Sequence, residues 1–151
     1  MPSISKSSQM DYKEIRVQID EESGLAHVQL TRPDATLTLQ TLSEIIKLCS
    51  WLNQQDSVKV IIFSSASNIF CAGMSLSSFS LTRVDSDHNQ VYRDVDLGRQ
   101  MVEAVESLVA ISIAIIHGGC VGGGFVLASA CDLRICSDDA FFLLPEVKQV
   151  I

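Results

Sequence analysis

No stretch of the 151-residue chain approaches the ~20 consecutive apolar residues that span a bilayer, so no membrane segment is expected and the protein reads as soluble. Basic residues are scarce as well: 11 Lys and Arg stand against 18 Asp and Glu, for a formal net charge of −7. They never gather into the stripe that tracks a phosphate backbone, so nucleic acid is not an expected partner. The 3 prolines and 8 glycines are too few for a disordered or collagen-like chain. C-x-x-C pairs are missing. The five cysteines (Cys49, Cys71, Cys120, Cys131 and Cys136) are odd in number and lie mostly in apolar segments, so reduced, buried thiols are expected. His27, His88 and His117 lie far apart and offer no metal-ligand spacing, so no metal is expected. The opening MPSISKSSQM has neither the apolar region of a secretory signal nor the arginines of a transit peptide. Residues 1–12 therefore read as a disordered tail of a cytoplasmic protein, with organelle import left open.

What is present is one core's worth of apolar residues, 47% of the chain. At this length a domain buries roughly 70% of the surface its unfolded chain exposes, enough to hold together without disulfides or metal. No repeat, low-complexity linker or domain boundary interrupts residues 13–151. Ile15, Val17 and Ile19 alternate with polar neighbours, and Leu25–Leu30 follows a turn signal at Gly24, which predicts a β-hairpin. Apolar residues from Leu39 to Leu52 recur at helical spacing, and Val58–Phe63 forms a β-branched block suited to a strand buried on both faces. A polar surface excursion is expected over 82–92, then a helix from about Asp94 to Val109, a strand at Ile111–Ile116, a helix over 123–130 and a strand at Leu133–Ile135. This order indicates an α/β fold of repeated crossover units. The apolar run Phe141–Ile151 needs cover, from a partner chain or from further chain of a longer protein.

Two loops leave the two best-defined strands, and α/β sheets place ligands at such ends. In His117-Gly-Gly-Cys-Val-Gly-Gly-Gly-Phe125 the glycines expose backbone N–H groups at a helix start, a site for an anion or oxyanion; close helix–sheet packing explains the same glycines equally well. Neither G-x-G-x-x-G nor G-K-[ST] occurs, so phosphate cradling by those devices is unsupported. The second loop, Phe70-Cys-Ala-Gly-Met-Ser75, also offers small residues and free amides. Its continuation Gly73-Met-Ser75-Leu-Ser77 misses the G-x-S-x-G nucleophile elbow at the last position, and Ser75 is read as a turn residue.

The blocks RPDATLTLQTL, VKVIIFSSASNIFCAGMSL and IAIIHGGCVGGGFVLASACDLRICSDDAFFLLPEV together resemble the crotonase superfamily of enoyl-CoA hydratases and isomerases. The resemblance covers about residues 15–151, and ACDLRICSDDAFF is most similar to enoyl- and dienoyl-CoA isomerases. It implies a crotonase-like fold of ββα units, seen here without the C-terminal helical region, and a homo-oligomer, trimer or hexamer, at full length. It also implies an acyl-CoA thioester as substrate, with coenzyme A entering as part of that substrate and no separate cofactor. By motif position, the amides of Met74 and Gly123 would form the oxyanion hole, and Glu146, preceded by Pro145, would be the catalytic base. Ala72, Ser75, Leu76, Gly122 and Val126 would contact the CoA or acyl parts.

Hydratases of this family carry a further carboxylate where this chain has Val126, and their usual loop aspartate is replaced here by Ser75. The glycine usual at the position of Val150 is also absent. Hydration needs two proton-handling groups, whereas shifting a double bond needs one, so the expected activity is that of an enoyl-CoA isomerase. A catalytically defective crotonase-like protein kept for binding or assembly is the alternative, with a hydratase third.

Overall fold

The computed structural model describes residues 11–78 and 88–145. Strand β1 (Ile15–Asp20) pairs antiparallel with β2 (Leu25–Leu30) through a tight turn, as the alternating pattern predicts. From β2 onward the sheet is parallel: β4 (Val60–Ser65), β6 (Ile111–Ile116) and β8 (Leu133–Cys136) follow, in the order β1-β2-β4-β6-β8. Each crossover carries a helix, namely α1 (Leu39–Leu52), α2 (His88–Glu106) and α3 (Gly123–Ala130). The α/β class built of repeated crossover units, expected from the sequence, is what the structure has.

The core lies on one face of the sheet. Ala26, Val28, Leu30, Ile61, Phe63, Ala114 and Ile116 are buried there, in one cluster with Leu42, Ile45, Leu48 and Leu52 of α1 and with Met101 and Val105 of α2. Burying a side chain the size of Phe63 stabilises the fold by ~1.5–3 kcal/mol. The expectation that β4 is buried on both faces is corrected: Val60, Ile62 and Ser64 are only half-buried, because α1 and α2 both serve the opposite face.

Helix α1 begins where Thr38 caps it, its hydroxyl accepting from the Thr41 N–H while the Thr41 hydroxyl accepts from the Thr38 N–H. Glu14 accepts hydrogen bonds from both hydroxyls and from Arg32 Nη1 at 2.8 Å. Burial opposes the charge on Glu14, but these donors outweigh it and hold its carboxyl below the ordinary value. Buried Glu44 accepts the N–H groups of Lys13 and Glu14 at 2.8 and 2.9 Å, tying the chain entering β1 to α1.

Helix α2 starts earlier and ends sooner than the pattern predicts, so 88–92 of the expected surface excursion are helical; 82–87 lie outside the described residues. Four short strands escaped the sequence pattern because two or three residues carry too little periodicity. They are β3 (Thr36–Leu37) with β5 (Gly73–Met74), and β7 (Gly119–Val121) with β9 (Phe141–Leu143), both pairs parallel. Cys49, Cys71, Cys120 and Cys131 are free and buried, whereas Cys136, on the edge strand β8, is exposed and corrects the expectation for that thiol. Among the described residues no helix is long and apolar enough to cross a membrane, and no group of His, Cys, Asp and Glu could hold a metal ion.

Candidate active site

The loops leaving β4 and β6 are stitched together by their backbones. Phe70 N–H donates to His117 O at 2.8 Å, Cys71 N–H to Gly119 O at 3.0 Å, and Val121 N–H to Cys71 O at 2.9 Å. Cys71 and Cys120, 49 positions apart in sequence, thus form a parallel bridge that holds the two loops side by side. Gly122 then turns the chain into α3 with φ +50° and ψ −116°, a conformation that disfavours any side chain. Its N–H donates to Leu143 O at 2.8 Å, which docks β9 against the turn.

Of the two explanations of the glycine run, close packing accounts for Gly124. A Cβ on Gly124 would stand 2.4 Å from Cys71 Cβ, so Gly124 is where helix and loop pack in contact. Gly123 faces the other way, and a Cβ there would lie 3.2 Å from Met74 Cγ. Met74 and Gly123, from two separate loops, therefore meet.

They meet on the wall of a cavity of about 590 Å³. Leu37, Leu42 and Met101 line its inner side, while α2 adds Asp94, Val95, Gly98, Arg99 and Val102. Val126 of α3 and Leu144, just after β9, complete it. Of the residues singled out in the sequence, Met74, Gly123 and Val126 line this cavity. Ala72, Ser75, Leu76 and Gly122 do not: the N–H groups of Ala72 and Ser75 donate to Ala35 O and Leu37 O at 2.8 and 2.7 Å, and Leu76 points into solvent. Glu146 lies outside the described residues.

Because Ser75 N–H points at β3, the N–H of Met74, its neighbour on the strand, points to the opposite side. Gly123 is the first residue of α3, so its N–H has no carbonyl one helical turn behind it. The helix start adds a partial positive charge there. Thiol chemistry is disfavoured nearby: burial pushes the Cys71 thiol up to about 11 and the Cys120 thiol up to about 12, leaving both protonated at neutral pH.

Sequence pattern missed Asp94. It is 4% exposed and is the one carboxylate on the cavity wall among the described residues. The signal was its spacing: Asp94, Met101 and Val105 stand seven and four residues apart on one face of α2, so the acid sits at a core position of the helix rather than at its start.

The model of the family described as Enoyl-CoA hydratase/isomerase matches residues 20–149. The chain belongs to this family. A peroxisomal Delta(3,5)-Delta(2,4)-dienoyl-CoA isomerase of Arabidopsis thaliana is 36% identical over 140 residues, covering 86% of this chain and 50% of that protein. Among solved structures, an enoyl-CoA hydratase from Bacillus anthracis superposes with a TM-score of 0.81 at 30% identity, over 92% of this chain and 53% of that one. Pseudomonas aeruginosa DspI superposes with a TM-score of 0.85 at 27% identity, over 97% and 55%. This member of the family spans about half the length of the curated relatives it matches.

Proposed function

We propose that this protein binds an acyl-CoA thioester with its carbonyl oxygen against the amides of Met74 and Gly123, and acts as an enoyl-CoA isomerase with Glu146 as base. The observation that carries this is the meeting of Met74 and Gly123, from two loops, on one largely apolar cavity wall. Two converging N–H groups stabilise the oxyanion that develops when a proton leaves C2 of the thioester, and removing one such donor typically costs ~3–4 kcal/mol of transition-state stabilisation. The base lifts that proton, the electron pair spreads over the oxygen and the conjugated carbons, and the same proton returns at C4 as the double bond shifts. Val126 on the cavity wall supports isomerisation over hydration, since an apolar side chain there cannot direct a water.

The peroxisomal name of the 36%-identical relative favours the organelle side of the localisation expectation over the cytoplasmic one. Coenzyme A would enter with the substrate, and association into a trimer or hexamer belongs to the same proposal.

The test is turnover of an enoyl-CoA double-bond substrate by the full-length protein. Glu146→Gln should lower the rate by ~10² to 10⁴, the usual contribution of a general acid–base group, while acyl-CoA affinity is retained. Unchanged turnover would remove Glu146 from the mechanism. Val126 also supports a second reading, a family member kept for binding without catalysis; acyl-CoA affinity with no turnover of any enoyl-CoA would establish it.

A further inference from the structure

The glycines of this chain have visible reasons, with one exception. Gly24, Gly73, Gly118 and Gly122 have positive φ, and a Cβ on Gly119, Gly123 or Gly124 would come within 3.2 Å of another residue. Gly98 has neither reason. It sits inside α2, where glycine is less favourable than alanine because it loses more backbone freedom. A Cβ there would meet nothing within 4 Å.

What Gly98 does have is a place on the cavity wall. Asp94, one turn before it, and Met101 and Val102, one turn after it, line the same cavity, so a side chain at 98 would project into that space. The surroundings are hydrocarbon: Leu37, Leu42, Met101, Val102 and Val126. Of the two charged residues on the wall, Arg99 is held outward by Asp96 at 2.7 Å and by Glu103, and Asp94 is already engaged within the protein. Space with such a lining takes an apolar group, and Met74 and Gly123 on the same wall set where its polar end would sit.

We propose that the α2 wall at Gly98 is a chain-length determinant, and that the ligand is a straight-chain acyl thioester longer than butanoyl whose methylenes run past Gly98. This rests on the acyl-CoA reading above and adds the substrate class. A glycine costing helix stability is then explained by the volume it leaves open.

Calorimetric titration of butanoyl-, octanoyl- and dodecanoyl-CoA into the full chain tests it. Each methylene taken from water into an apolar site is expected to tighten binding roughly threefold to fourfold until the cavity is full. In the wild type, octanoyl-CoA should therefore bind at least tenfold more tightly than butanoyl-CoA. Gly98→Leu should reduce that ratio to about threefold or less, and Val102→Phe, a turn further along the same wall, should do the same if the leucine variant fails to fold. A ratio unchanged in a folded variant, or a wild-type affinity that ignores chain length, would overturn the chain-length assignment while leaving acyl-CoA binding intact. No binding of any of the three to the wild type would overturn the acyl-CoA reading itself.

Discussion

The interior face of the sheet and the β8–β9 flank are equally apolar in sequence and opposite in environment. Ile61 and Phe63 of β4 are fully buried beneath the helices, whereas Leu133 and Ile135 of β8 are 54% and 57% exposed. Phe141, Phe142, Leu143 and Leu144, further along the chain, are also exposed. The first region is finished by local crossovers, because each helix lies between the strands it covers. The second has no such cover among the described residues. Hydrophobic pattern thus reports what a strand is built to bury, and only what packs on it decides whether it is buried.

Substitution separates the two regions. Phe63→Ala should cost about 3–5 kcal/mol in urea unfolding, since it leaves a large void in a close-packed core. A cost under ~1 kcal/mol would mean that the interior face is not the stabilising one. Gly124→Ala, at the contact between α3 and Cys71, should cost about 1–3 kcal/mol by overpacking, against a helix-propensity gain of roughly 1 kcal/mol. Thermal melting decides the sign, and a net rise in Tm would show that the loops are not held in contact.

Glu14→Gln should destabilise by about 1–2 kcal/mol near neutral pH, as hydrogen bonds to a charged acceptor become bonds to a neutral one. The Glu14 carboxyl is held below its ordinary value, so its contribution is present above the unfolded-state pKa and is lost as pH falls through the lower folded value. The variant should accordingly show a flatter loss of stability in acid; an identical acid profile would remove Glu14 from the account. The smallest effect belongs to the flank: Ile135→Ala should change unfolding by less than ~0.5 kcal/mol, the usual range for an exposed position. A loss approaching that of Phe63→Ala would reveal that β8 is covered in solution.

The contrast also marks what was legible in the sequence. The alternation of β1 and β2, the stripe of α1 and the blocks of β4 and β6 announced the elements themselves, because an apolar pattern over six or more residues marks a strand or helix, but the β4 block did not tell which face is covered: Val60 and Ile62 are only half-buried. Pairs such as Thr36–Leu37 with Gly73–Met74 could not be read, since the tertiary approach of two loops makes them strands. Met74, Gly123 and Val126 were accessible through motif spacing and stand on one wall. Ala72 and Ser75 came from the same motif, yet their N–H groups are spent on the carbonyls of Ala35 and Leu37, which no spacing rule reveals. Asp94 looked like the acidic start of a helix until α2 proved to begin at His88.

Amide-resolved NMR during titration of the full chain shows whether the Met74 and Gly123 amides receive a thioester oxygen. With octanoyl-CoA, the amide protons of Met74 and Gly123 should move downfield together and saturate at one stoichiometry, while free coenzyme A, which has no thioester carbonyl, leaves them in place. Two amides unmoved at saturation, or shifted equally by free coenzyme A, would contradict the account.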